Sequence, residues 1–190
     1  MTTCIVLAGG NSRRMGTDKT ALTFREQTFL ERAVFRFKKV FDEVLVSVQK
    51  NDERFANFEV IEDIYENCGP MSGLHASLST RTNGIFITAA DMPFAEPRLA
   101  LCMLRMSCGW DACVINTGIP HPLFGWYSSS VLPIVEQFLQ NGQCSMTKLL
   151  ESVNTRYIYK EELPQFDMDK CLQNINTPSE FIKLKSIYEY

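Results

Sequence analysis

Residues 84–90 read GIFITAA, a near-continuous apolar run. A strand of that composition has no face to offer water and must be covered on both sides. Residues 3–8 form a second such run, ending in glycines. Between runs of this kind lie segments with helical spacing. Leu30, Val34, Phe37 and Phe41 recur at four, three and four residues, so the stretch 28–41 carries one apolar face. Strands at 43–48 and 59–61 follow, then a helix over 71–80 after a Gly-Pro turn. The strand 84–90 leads to a helix over 97–106 with proline near its start, and then to a strand over 111–116. Strands alternating with helices predict an α/β fold: a doubly wound, mostly parallel sheet with helices on both faces. After Gly118 the alternation loosens into a strand at 122–127, helices at 131–140 and 145–150, a strand at 156–159 and a last helix from about Pro178.

The chain has 190 residues, enough for one domain with a substantial core, and no repeat or linker divides it. Its net charge of −3 excludes a surface that binds polyanions at large, so nucleic acid is not an expected partner and any anion site must be local. No run of 18 apolar residues is present, so no membrane span is expected. The first residues enter a strand without the basic start and cleavage site of a secretory signal, and a cytoplasmic location is expected. Seven cysteines occur with no CxxC and no Cys/His pair at zinc spacing. They read as reduced, mostly buried thiols.

In open α/β sheets ligands bind at the carboxyl ends of the strands. This singles out the loop at 9–19, Ser47, Asp63, Asp91 and the turn at 116–122. The loop belongs to the string LAGGNSRRMGTDK, residues 7–19. Its glycines allow tight turns and expose backbone amides, while Arg13, Arg14 and Lys19 add positive charge, a combination suited to a polyphosphate. It is not a Walker A loop, because Thr17 and Asp18 separate Gly16 from Lys19, and it is not GxGxxG.

Asp91 follows the run 84–90, and Pro93 helps turn the chain out of the sheet. A single carboxylate there suffices for Mg²⁺ if phosphates and water complete the shell, and it would equally cap a turn. Asp63 can accept paired hydrogen bonds from a base edge or from ribose hydroxyls, and Ser47 can donate or accept. Gly73 would let its helix pack close to a strand or a ligand. His121-Pro122 reads as a turn or as a site that positions an acceptor, and His75 as packing. Thr177, Pro178 and Glu180 make a helix start, which leaves Asn174 and Asn176 unexplained.

LAGGNSRRMGTDK resembles the signature loop of the nucleotidyltransferases with a Rossmann-like core, and more narrowly that of the molybdenum cofactor guanylyltransferases. VIEDIYENCGPMSGLHASL (60–78), FITAADMPF (86–94), HPLFGWY (121–127) and NINTPSEF (174–181) resemble further segments of that family, in the same order. Ser47 stands where better-known members have Asn.

The resemblance implies one nucleotidyltransferase domain over 1–190, nucleotide-binding in its N-terminal part and acceptor-binding over roughly 117–190. It implies transfer of GMP from GTP to the phosphate of molybdenum-bound molybdopterin, with release of pyrophosphate and with Mg²⁺ as cofactor. GTP and molybdopterin are then the substrates, and contacts with proteins that deliver or accept the cofactor would be transient. Arg14, Lys19 and Asp91 would be catalytic, with the metal on Asp91. Leu7, Ala8, Gly9, Gly10, Lys19, Ser47, Asp63 and Asp91 would hold GTP. His121, Asn174 and Asn176 would meet the pterin. Two alternatives stay open: a cytidylyl- or sugar-1-phosphate nucleotidyltransferase of the same fold, and a regulatory module that binds nucleotide without turnover.

Overall fold

β1 (Thr3–Leu7) shows how both faces of the sheet are dressed. Its side chains alternate, with Cys4 and Val6 entering one apolar layer and Ile5 and Leu7 the other. The structure, a computed structural model, describes residues 1–8, 23–24 and 26–188. A small antiparallel pair, β2 (Thr23–Phe24) and β3 (Gln27–Thr28), precedes α1 (Phe29–Phe37). Then come β4 (Glu43–Val48), β5 (Val60–Glu62), α2 (Pro70–Leu78), β6 (Ile85–Ala89), α3 (Pro97–Met106) and β7 (Ala112–Asn116). β8 (Pro120–Tyr127), α4 (Leu132–Gln140), α5 (Met146–Ser152), β9 (Thr155–Ile158), α6 (Met168–Cys171) and α7 (Pro178–Tyr188) complete the order.

The large sheet has the order β5-β4-β1-β6-β8-β7-β9. Every neighbouring pair is parallel except those made by β8, which runs antiparallel to both β6 and β7. The expected mostly parallel sheet with helices on both faces is therefore present. Helices α1, α3 and α6 cover the face that holds Phe37, Phe86 and Phe124, while α2, α4 and α5 cover the face that holds Ile5, Ile87 and Val114. Phe86 and Phe124 meet edge to face with ring centroids 5.0 Å apart. Each large side chain buried this way contributes about 1.5–3 kcal/mol. Among the described residues no helix is long and apolar enough to cross a membrane.

Three expectations need correction. The helix expected over 28–41 ends at Phe37. Phe41 is still buried, because the chain after Phe37 continues as a turn against the same core. The strand expected from 122 begins at Pro120, so His121 lies within β8 and the turn is left to Thr117–Ile119, with Gly118 at φ +101°. A link that short cannot make a parallel crossover, so β8 must run back beside β7. Finally, the cysteines are not all free thiols. Packing of α2 against α4 brings the turn before α2 to the turn after α4, where Cys68 and Cys144 form a disulfide with Cα atoms 5.0 Å apart.

Candidate active site at the carboxyl ends of β1, β4, β5 and β6

The strand ends are locked to one another by backbone. Ala8 N donates to Ser47 O at 2.9 Å, and Ala90 N donates to Leu7 O at 3.0 Å. Asp63 N donates to Val48 O at 2.9 Å, just past the end of β5. Leu7, Ala8, Ser47 and Asp63 are thereby gathered at one edge of the sheet, together with the Asp91 turn that follows β6.

Ser47 is buried, and its hydroxyl donates to Asp63 Oδ1 at 3.0 Å. Burial pushes the Asp63 carboxyl up to about 6, with the Ser47 hydroxyl opposing the shift. The helix above this pair comes very close. A Cβ on Gly73 would lie 2.3 Å from Ser47 Oγ and 2.9 Å from Leu7 Cδ2. Gly73 thus lets α2 settle onto the ends of β1 and β4, as its expected role in close packing required.

Asp91 is half-buried, and its carbonyl accepts from Ile175 N at 2.9 Å. Ile175 is fully buried in a small cluster with Phe29 and Leu184. This seat fixes the flanking asparagines at the end of β6. Asn174 Oδ1 is buried and has no hydrogen-bond partner among the described residues. The expected helix start is present: Glu180 Oε2 accepts from Asn176 N at 2.7 Å and Thr177 N at 2.9 Å, and Glu180 N donates to Thr177 Oγ1 at 3.3 Å.

His121 groups with Thr117, Lys160 and Asp169. Its Nε2 is 2.7 Å from Thr117 Oγ1. Burial lowers its pKa, Asp169 opposes the shift and Lys160 adds to it, which favours the neutral ring. Lys160 Nζ and Asp169 Oδ2 form an exposed ion pair at 2.6 Å. Sequence reading missed these two residues. Neither sits in a motif, and the parallel pairing of β9 with β7 is what carries Lys160 to His121. His75 is buried packing, as expected, edge-on to Tyr65 with ring centroids 4.9 Å apart and with Nε2 3.5 Å from Glu136.

Gly9, Gly10, Arg14 and Lys19 lie outside the described residues. Among the described residues no cluster of three or more His, Cys, Asp or Glu is poised for a metal. One carboxylate, Asp91, in the turn after β6, is still a fit for Mg²⁺. That ion takes few protein ligands and completes its shell with phosphate oxygens and water.

Comparison with known proteins identifies the family and the fold. A relative from Pelotomaculum thermopropionicum named "Probable molybdenum cofactor guanylyltransferase" is 34% identical, covering 98% of this chain and 93% of its own. The molybdenum cofactor guanylyltransferase of Campylobacter jejuni subsp. doylei is 30% identical over 96% of this chain and 95% of its own. The crystal structure of molybdopterin-guanine dinucleotide biosynthesis protein A from Archaeoglobus fulgidus superposes with a TM-score of 0.86 at 26% identity, covering 99% of both chains. The model of the MobA-like NTP transferase domain matches residues 4–156. The family model covers most of the chain and the relatives nearly all of it, so the chain belongs to the MobA-like NTP transferase family and is a nucleotidyltransferase.

Proposed function

We propose that this enzyme transfers GMP from GTP to the terminal phosphate of molybdenum-bound molybdopterin, in the cytoplasm. The observation that carries the reading is the hydrogen bond from Ile175 N to Asp91 O. It supports a centre in which the Asn174–Asn176 segment, on the acceptor half over roughly 117–190, meets the nucleotide half at the end of β6.

An acceptor phosphate oxygen attacks the α-phosphorus of GTP. The new P–O bond forms opposite the breaking α–β bridge, and pyrophosphate leaves with that electron pair. No proton need be removed from the nucleophile, which is already an anion. The protein therefore contributes positioning and charge neutralisation. Leu7 and Ala8 line the guanine. Asp63, oriented by Ser47, accepts from the N1–H and N2–H₂ edge. The Gly9 and Gly10 amides hold the phosphates, and Arg14 and Lys19 neutralise charge that grows on the α-phosphate and the leaving group. Asp91 would hold Mg²⁺, which when bound neutralises and orients the triphosphate. His121, Asn174 and Asn176 place the pterin.

The names of the relatives favour guanine over the cytidylyl alternative. The test is thermal unfolding with each of the four nucleoside triphosphates and Mg²⁺. GTP should stabilise most, by roughly 2.7 kcal/mol at about 100 times its Kd. A larger shift with CTP overturns the guanylyl reading.

A further inference from the structure

Cys68 stands directly before Gly69 and Pro70, the first residues of the α2 start, and five residues after Asp63. Its partner Cys144 lies in the turn between α4 and α5. Both are half-buried, and their neighbours Glu66, Asn67, Gly69, Asn141, Gly142 and Gln143 are exposed. The bond is thus open to a soluble thiol. The other cysteines are single, and Cys4, Cys113 and Cys171 are buried, with burial raising each thiol and weakening it as a nucleophile.

We propose that Cys68–Cys144 is a reversible thiol–disulfide exchange site, served by a dithiol reductant, whose oxidised form tightens nucleotide binding. The second half of that statement rests on reading Leu7, Ser47 and Asp63 as the nucleotide side. A thiolate of the reductant attacks one sulfur of the pair, the S–S bond breaks, and a mixed disulfide forms while the other cysteine leaves as thiolate. The reductant's second thiol then displaces the protein sulfur and departs as a disulfide. Two electrons and two protons pass to the protein.

The coupling follows from what the bridge anchors. Oxidised, it pins the 64–69 turn and the start of α2 to the α4–α5 turn. Gly73, one turn into α2, presses on Ser47 and Leu7, and Ser47 holds Asp63. Reduction frees the turn from that anchor. The His75–Glu136 contact still joins α2 to α4, so the fold survives and only the turn beside Asp63 gains freedom.

The full chain is oxidised with diamide or reduced with dithiothreitol. Thiols titrated after denaturation should number five in the first state and seven in the second. Calorimetric titration with GTP and Mg²⁺ should give a Kd at least about fivefold lower for the oxidised protein, the lower end of ordinary allosteric coupling. Cys68→Ser and Cys144→Ser should each bind like reduced protein whatever the oxidant. Amide exchange over 64–72, read without nucleotide, should be faster after reduction. Seven thiols after oxidation, or a GTP Kd that is the same in both states, overturn the proposal. If exchange responds while GTP binds in neither state, the switch stands and the guanylyl reading is the one refuted.

Discussion

The two sides of Asp91 are built differently. The side proposed for the nucleotide is made of parallel strand ends tied by backbone hydrogen bonds, with Ser47 buried and α2 pressed down on it through Gly73. The side proposed for the acceptor is made of a strand that runs the other way, short helical turns and exposed ion pairs such as Lys160–Asp169. One side is shaped by steric fit, the other by polar groups reachable from water. Substitutions should therefore act on it mainly through packing on the first side, and mainly through single polar contacts on the second.

The largest effects belong to the residues proposed to meet the metal and the phosphates. Asp91→Asn and Lys19→Ala should each lower kcat by about 10²–10³, with Lys19→Ala changing GTP affinity far less, because charge stabilisation is stronger in the transition state than in the ground state. Steady-state kinetics with direct GTP titration would show this. Near-normal turnover for Asp91→Asn would make that residue a turn cap.

Gly73→Ala probes the steric side. The added methyl meets Ser47 and Leu7, so stability should fall by about 1–3 kcal/mol in urea unfolding, and GTP should bind more weakly. Acceptor KM should not move. A shift in acceptor KM alone would erase the distinction between the two sides.

His121→Ala and Asn174→Ala probe the polar side. Each should raise acceptor KM by roughly tenfold, the size of one lost hydrogen bond, with GTP Kd unchanged. Parallel titrations of the two substrates decide it.

The smallest effect is on pH. The Asp63 carboxyl is raised from 3.8 to about 6, so it carries a proton in the folded state over a range where the unfolded chain has lost it. GTP affinity should fall as pH drops through about 6, because the protonated acid no longer accepts from guanine. Stability should run the opposite way, declining as pH rises from about 4 to about 6 and levelling above, since the native state binds more protons in that window. Asp63→Asn should flatten both profiles, and a wild-type binding curve already flat across pH 5–7 would rule the contact out.

Much of the fold was legible because burial leaves a period in the sequence. α3 occupies the expected residues 97–106, and the Thr177–Glu180 helix start is formed as its spacing required. Phe41 misled for the same reason. Periodicity reports burial, and Phe41 is buried without being helical. The candidate site was legible where strand ends set it, at Leu7, Ser47, Asp63 and Asp91. It was not legible at Lys160 and Asp169, whose approach to His121 depends on strand pairing far along the chain. The pairing of Cys68 with Cys144 was hidden likewise, being 76 residues apart in sequence.

The hydrogen bond between Ile175 and Asp91 also joins the end of β6 to a segment that comes late in the chain. Strands β1, β4, β5 and β6 all precede residue 175 in the chain, so this edge of the sheet is the last to be completed in sequence. The centre stays unfinished until the Asn174–Asn176 segment arrives and seats Ile175 beside Phe29. A chain cut short before that segment would leave Asp91 without the donor, and Phe29 without the neighbour, that Ile175 supplies.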